Sequence, residues 1–154
     1  MDSVKSVVPK LNILIGPYFD EESVVSCLCG LQKRGVPVNV VGLTSAMTTG
    51  LHGLAVRPDF SLSEFSRLID AEDAEHSVIL PGGVEGTAVL FSDPRVVKII
   101  KSIFEAGNHI AAMLPAQQML SRLGLPTVHK IEQFLPQNDL GTEDFIDQIA
   151  DRLN

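Results

Sequence analysis

The feature that most constrains the fold is an alternation of short apolar runs with helical segments, which begins at residue 11. Leu11–Ile15 is an apolar run that ends at Gly16-Pro17, as a buried strand would. Asp20 then supplies a helix N-cap, and Gly35 supplies the residue that typically follows a helix end. Val36–Leu43 is apolar again, so the first unit is predicted to be strand, helix, strand.

The same alternation continues to the end of the chain. Residues 44–60 predict a small hairpin excursion, and Ser61-Leu62-Ser63-Glu64 predicts a capping box that opens a helix. Further strands are predicted at Ser77–Leu80, His109–Met113 and, more weakly, Thr127–Ile131, and further helices are predicted to begin at Asp93-Pro94, Pro115 and Thr142. This pattern predicts an α/β fold, a three-layer sandwich whose mostly parallel central sheet is covered by helices on both faces, as in flavodoxin-like proteins. Residues 1–10 are predicted to be a tail and residues 11–154 a single domain.

Charge and composition exclude several classes of partner. The chain has 154 residues and a formal net charge of −7, without a basic cluster to offset it. Such a field repels phosphate backbones, so we expect no nucleic-acid partner. No apolar run reaches the length of a signal peptide core or a membrane span, so we expect no membrane association and a cytoplasmic location.

Neither the cysteines nor the histidines indicate a metal site. Cys27 and Cys29 lie two residues apart on a predicted helix, where they point to different faces and cannot hold one metal together. They are predicted to be small buried or half-buried thiols. His52, His76 and His109 are scattered over a turn, a loop and a strand entry. We therefore predict no metal and no cofactor.

Several stretches occur together in an order that is typical of one family. They are Ile13–Glu22, Gly35–Leu43, His52-Gly53-Leu54 before Pro58-Asp59, Val78–Gly83, and His109–Ala112 before a strand-to-helix turn. Over roughly residues 11–130 the chain resembles the ThiJ/PfpI family, within the class I glutamine amidotransferase-like superfamily. The most specific parts are Leu80-Pro81-Gly82-Gly83 and Ala111-Ala112.

The resemblance implies where a nucleophile would lie. Enzymes of the family present a cysteine at a sharp turn between a strand and a helix, and backbone N–H groups form an oxyanion hole. The position that matches this cysteine is Leu114, which offers no nucleophile, and Pro115 after it has no N–H. Proline also disfavours helical geometry at Leu114, so we expect that residue to be extended and the strained turn to be absent.

The resemblance also implies an acid and a histidine beside the cysteine. The acid position matches Ser23, with Glu21 and Glu22 one or two residues earlier, so a small slip in the alignment restores an acid. His129 matches the histidine only if the intervening helix and loop are shortened. Gly82-Gly83 is kept. We therefore expect no catalytic residues, and we treat His129, Glu21 and Glu22 as possible remnants.

A ligand site is predicted at the same sheet edge, formed by Gly82, Gly83, Leu114, Gln117 and His129. Each residue also has an interpretation without function. The two glycines either cradle an anion through backbone N–H groups or simply form a tight turn. Gln117 either faces the pocket or is an exposed helix former, and His129 is more commonly a hydrogen-bonded residue at a strand end.

Two functional hypotheses follow, together with a weaker third. The preferred one is a pseudoenzyme that binds a small molecule or a partner protein as a homodimer, supported by the apolar Cys27, Leu28 and Cys29 on more than one helix face. The alternative is a hydrolase, glyoxalase or deglycase that acts on a small carbonyl or amide through residues other than cysteine. A flavodoxin-like or receiver-like signalling domain is the third, but Leu80-Pro81-Gly82-Gly83 lacks an acceptor aspartate.

Overall fold

The computed structural model describes residues 10–71, 75–124 and 132–153, which form one layer of parallel strands between two layers of helices. The strands are β1 (Leu11–Ile15), β2 (Val38–Gly42), β3 (Thr48–Thr49), β4 (Ala55–Val56), β5 (Phe60–Ser61), β6 (Ser77–Leu80), β7 (Ile110–Ala112) and β8 (Phe134–Pro136). The helices are α1 (Glu21–Lys33), α2 (Leu62–Ala71), α3 (Val84–Phe91), α4 (Pro94–Glu105), α5 (Leu114–Arg122) and α6 (Thr142–Leu153). The main sheet has the order β5-β2-β1-β6-β7-β8, and every pairing in it is parallel, which confirms the predicted fold class.

Two hydrophobic cores cover the two faces of this sheet, because side chains alternate along each strand. On β1, Leu14 faces the core that α2, α4 and α5 cover, whereas Ile13 and Ile15 face the core that α1 and α6 cover. All five residues of β1 are buried, and four of them are apolar, the exception being Asn12, so hydrophobicity does not alternate along the strand. This is the pattern expected of a strand in the middle of a parallel sheet.

The local signals for helix ends are confirmed where the structure describes them. The Asp20 carboxylate caps α1, and Gly35 follows the helix with a φ of +76°. In the capping box, the Ser61 N–H donates to Glu64 Oε1 at 3.0 Å and the Glu64 N–H donates to Ser61 Oγ at 3.2 Å. Asp93 caps α4 as predicted.

Helix α3 was not predicted from the sequence. Its segment contains Gly86 and β-branched residues and has no polar face, so the helical periodicity is weak. Gly86 is required by packing, since a Cβ at this position would lie 2.9 Å from the Cα of Phe19. The helix is therefore fixed by its close approach to the loop after β1.

The last strand lies later in the chain than predicted. The predicted strand Thr127–Ile131 falls outside the described residues, and the strand that pairs with β7 is Phe134–Pro136. It is three residues long and contains a proline, which is tolerated because β8 lies at the edge of the described sheet. The start of the last helix differs by one residue from the prediction that Thr142 caps it. Thr142 is the first residue of α6, and the carbonyl of the preceding Gly141 accepts the Phe145 N–H.

Candidate functional site

The candidate site lies where β1, β6 and β7 end, because these neighbouring parallel strands bring their carboxyl ends to one edge. Leu80 pairs with Ala112, so the turns at Gly82-Gly83 and Leu114-Pro115 follow adjacent strands, as the sequence predicted. The chain leaves β1 toward β2 on one side, and β6 lies on the other. Such a reversal in strand order is where ligands bind in open α/β sheets.

Ser23 and Gly82 form the centre of this site. The Gly82 N–H donates to Ser23 Oγ at 3.1 Å, and the same hydroxyl donates to the Asp20 carbonyl at 3.2 Å. A Cβ built on Gly82 would lie 3.7 Å from the Cβ atoms of both Ser23 and Met113. The structure therefore brings the predicted residues Ser23 and Gly82 together beside Met113. The Gly82 N–H, which an anion cradle would need, already has a partner in the chain.

The backbone conformation and the packing at position 83 both require glycine. Its φ is +94°, and a Cβ on it would lie 2.7 Å from the Cβ of Asp20. A side chain at this position would meet both backbone strain and a steric clash. Gly83 is thus needed for the turn from β6 into α3 to pass the loop after β1. Gly82 has ordinary space around its Cβ position.

The turn from β7 into α5 differs from the expectation. Leu114 is the first residue of α5, and Met113 is the extended N-cap with φ −77° and ψ 167°. The prediction of an extended Leu114 is therefore wrong. A proline disfavours helical geometry in the preceding residue without forbidding it, and its missing N–H costs little in a first turn. The non-glycine residues with positive φ in the described ranges are Tyr18 and Asn138, so Leu114 carries no such strain.

The environment of Leu114 is built by the loop after β8. The Leu114 side chain is exposed, and its N–H donates to Gln137 Oε1 at 3.3 Å. Gln117 uses both ends of its amide on Asn138, since its Nε2 donates to Asn138 Oδ1 at 2.8 Å and its Oε1 accepts the Asn138 N–H at 3.1 Å. Gln117 therefore holds a loop in place. Nothing in the sequence marks Gln137 as a contact of Leu114, whereas the positive φ of Asn138 is a conformation that asparagine tolerates.

Glu21 faces the hairpin of β3 and β4. Its carboxylate accepts the N–H groups of His52 at 2.6 Å and Leu54 at 3.3 Å, and it lies 3.1 Å from His52 Nδ1. A Cβ on Gly50 would lie 2.6 Å from Glu21 Cδ, so the hairpin backbone approaches this carboxylate closely. Burial alone would raise the pKa of Glu21, but these hydrogen bonds and one from its own N–H outweigh burial and lower the pKa.

Replacing Glu21 by glutamine is expected to loosen the hairpin. Glu21→Gln removes the charged acceptor, so the amides of His52 and Leu54 should exchange roughly fivefold faster or more with solvent. Because the pKa of Glu21 is lowered in the folded protein, the tether is complete above the ordinary carboxyl pKa and is lost as the pH falls through the folded pKa. Hydrogen exchange of the two amides measures this at several pH values. The exposed Glu22→Gln is the matched control, and equal exchange in both variants would contradict the tether.

The other predicted residues lie apart from the site or outside the described ranges. Glu22 is exposed on α1, and His129 falls outside the described residues. Cys27 is buried as predicted, whereas Cys29 is exposed, which corrects the prediction that both thiols are at least half-buried. In residues 10–71, 75–124 and 132–153, no group of three or more His, Cys, Asp or Glu side chains is placed to hold a metal ion.

Comparison with known sequences gives one family and distant relatives. The sequence model described as the DJ-1/PfpI family matches residues 9–148. A deglycase of Thermococcus kodakarensis is 27% identical over 116 residues, which cover 75% of this chain and 66% of the relative. The dj-1beta protein of Drosophila melanogaster is 25% identical over 114 residues, which cover 73% of this chain and 58% of the relative. The chain thus matches less than two thirds of the length of either relative.

Comparison with solved structures shows the same fold over nearly the whole chain. The crystal structure of Drosophila melanogaster DJ-1beta gives a TM-score of 0.74 at 19% identity, with 96% of this chain and 91% of the other covered. A DJ-1 superfamily protein from Salmonella typhimurium gives 0.73 at 22% identity, with 95% and 90% covered. Among the described residues, none of the helices has the length and apolar composition needed to cross a bilayer.

Proposed function

Because the chain belongs to the DJ-1/PfpI family, we propose that it is a non-catalytic member, a pseudoenzyme that binds a small molecule or a partner protein as a cytoplasmic homodimer. The resemblance in the sequence is confirmed by the family match. The residues at the sheet edge support the absence of catalysis, and the surface of α1 supports the homodimer.

The observation that carries the proposal is the start of α5. Leu114 occupies the position at which the family resemblance places a nucleophilic cysteine, and a leucine side chain cannot attack a carbonyl. Its N–H is bonded to Gln137, and Pro115 contributes no donor. Ser23, at the position of the acid, accepts the Gly82 N–H. Side chains of the protein itself therefore accept the backbone N–H groups that an enzyme of this kind would use to bind an oxyanion.

The two cysteines do not replace the missing nucleophile. Burial raises the pKa of the Cys27 thiol to about 12, so it stays protonated at neutral pH. Cys29 is exposed, but it lies six residues after Ser23 on α1, or about 9 Å along the helix axis. Neither thiol is therefore placed to act at the edge formed by β6 and β7.

An enzyme that uses other residues is the second candidate. One relative is named a deglycase, which favours a hydrolase, glyoxalase or deglycase acting on a small carbonyl or amide. In this chain such chemistry would use residues other than cysteine, for instance His129 together with Glu21 or Glu22. The Glu21 carboxylate is committed to the hairpin by its bonds to the His52 and Leu54 amides, which weakens this alternative.

A turnover assay separates the two candidates. We expect the purified protein to consume methylglyoxal no faster than buffer, since loss of the nucleophile of a covalent mechanism costs roughly 10⁴ to 10⁶ in rate. His129→Ala should then leave the signal unchanged. Steady turnover that persists through purification and disappears in His129→Ala would establish the enzymatic alternative instead.

The proposed dimer surface combines α1 with the hairpin. Val25 and Cys29 are exposed and lie one turn apart on the helix face that also carries Glu21. Glu21 ties the hairpin to this face, and the hairpin exposes Leu51 and Leu54. These four exposed apolar residues, Val25, Cys29, Leu51 and Leu54, are the dimer surface. Exposed apolar groups gathered in this way indicate a protein contact.

A further inference from the structure

A cavity of about 560 Å³ opens beside the carboxyl ends of β1 and β2, and it shares no lining residue with the site at the ends of β6 and β7. Its apolar wall consists of Pro17, Tyr18, Leu43 and Met47, and three threonines and a glycine complete it. None of these eight residues is charged. This volume and this mixture of apolar surface with a few hydroxyls are typical of pockets for small molecules.

Tyr18 lines this cavity and has an unusual backbone conformation. Its φ is +66°, a left-handed conformation that bulky side chains seldom adopt, yet 58% of the residue is exposed to solvent. An exposed ring does not gain enough from burial to explain such a conformation. Residues held in strained conformations persist where the surrounding structure fixes them, and they cluster at ligand sites.

The surrounding backbone fixes Tyr18 from both sides. The Tyr18 N–H donates to the Thr49 carbonyl at 3.0 Å, and the Leu51 N–H donates to the Phe19 carbonyl at 3.0 Å. These two bonds join the loop after β1 to the hairpin, and the next side chain, Phe19, is buried. The base of the Tyr18 ring is therefore held before any ligand arrives, which reduces the entropy lost on binding.

We infer that this cavity binds a neutral, planar aromatic molecule that stacks on Tyr18 and packs against Met47. Aromatic rings stack with an offset, and the thioether of methionine makes favourable contacts with ring edges. A charged ligand would lose hydration without finding a free opposite charge, because no lining residue is charged and the Glu21 carboxylate beside Gly50 is already bonded to the His52 and Leu54 amides. The threonine hydroxyls provide partners for a carbonyl or amide group on the ligand. The inference deepens the binding part of the proposed function by naming a ligand class and its place.

The chain provides its own reporter for this site, because Tyr18 is its single tyrosine. Protein labelled with 3-fluorotyrosine should give one fluorine resonance at this position. We expect naphthalene-2-carboxamide to shift that resonance saturably, and we expect the anionic naphthalene-2-carboxylate to bind at least about tenfold more weakly. A shift that grows linearly without saturation, or equal affinities for the two probes, would overturn the inference.

Two variants test the assigned contacts. Met47→Ser removes one wall and should weaken binding of the carboxamide about tenfold, whereas Leu123→Ser, which changes an exposed apolar residue outside the cavity, should not. Tyr18→Gly accepts the left-handed backbone without strain, so it should keep its thermal stability and lose the saturation-transfer signal of the carboxamide. Unchanged binding in Met47→Ser or Tyr18→Gly would refute the site. Such a failure would leave the turnover and assembly tests of the proposed function standing.

Discussion

Cys29→Asp is expected to convert the proposed homodimer into folded monomers. Cys29 is exposed on α1, so an aspartate there is solvated in the monomer and should leave the fold intact. In a symmetric interface the substitution acts twice, because the same surface contacts itself. Placing charges in an apolar contact costs several kcal/mol, which corresponds to roughly a thousandfold weaker association. Sedimentation velocity at micromolar concentrations should show the shift in mass, and circular dichroism should remain unchanged.

The position of the substitution decides whether loss of the dimer can be distinguished from unfolding of the monomer. Leu28 is partly buried and packs against the core beneath α1, so Leu28→Asp would destabilise the monomer itself. Leu123→Asp is the matched control, since Leu123 is an exposed apolar residue at the C-terminal end of α5, away from α1. It should stay dimeric. Sedimentation of the unmodified protein as a monomer would end the proposal of a homodimer, and so would a Cys29→Asp variant that still sediments as a dimer.

The fold was predictable because its signals are local and repeated. The buried run at β1, the Asp20 cap and Gly35 each specify one step of the chain, and together they leave a parallel sheet as the consistent arrangement. Helix α3 escaped prediction because tertiary packing, at the contact between Gly86 and Phe19, decides its structure. The strand β8 escaped because three edge residues with a proline carry almost no periodic signal.

The site was predictable in position but not in chemistry. The sequence places Gly82-Gly83 and Leu114 at the ends of neighbouring strands, and the structure has them there. The sequence does not reveal that Ser23 accepts the Gly82 N–H or that Gln137 accepts the Leu114 N–H. Those partners come from segments 59 and 23 residues away, and their pairing depends on how α1 and the loop after β8 pack against the ends of β6 and β7. A polar residue in a loop carries no mark in sequence that distinguishes a ligand contact from an internal bond.

Introducing a thiol at the start of α5 tests whether these internal hydrogen bonds keep a cysteine at this position from being activated. Leu114→Cys alone is expected to give an accessible thiol that reacts with iodoacetamide no faster than a free cysteine, with a pKa near 8.5. A helix N-terminus lowers a thiol pKa through its free N–H groups. Here the N–H at position 114 is bonded to Gln137, and Pro115 has none.

Adding Pro115→Ala should change this result, because it supplies one new N–H beside the introduced thiol. In Leu114→Cys/Pro115→Ala we expect the thiol pKa to fall by about one unit, so that roughly tenfold more thiolate is present at neutral pH. The pH dependence of the alkylation rate, measured by mass spectrometry of the modified peptide, gives both pKa values. Cys29 in the same chain serves as the internal reference for an exposed thiol. A markedly lowered pKa in Leu114→Cys alone would mean that the turn into α5 already activates a thiol. The proposed inactivity would then rest on the missing nucleophile at Leu114 and on Ser23 at the position of the acid.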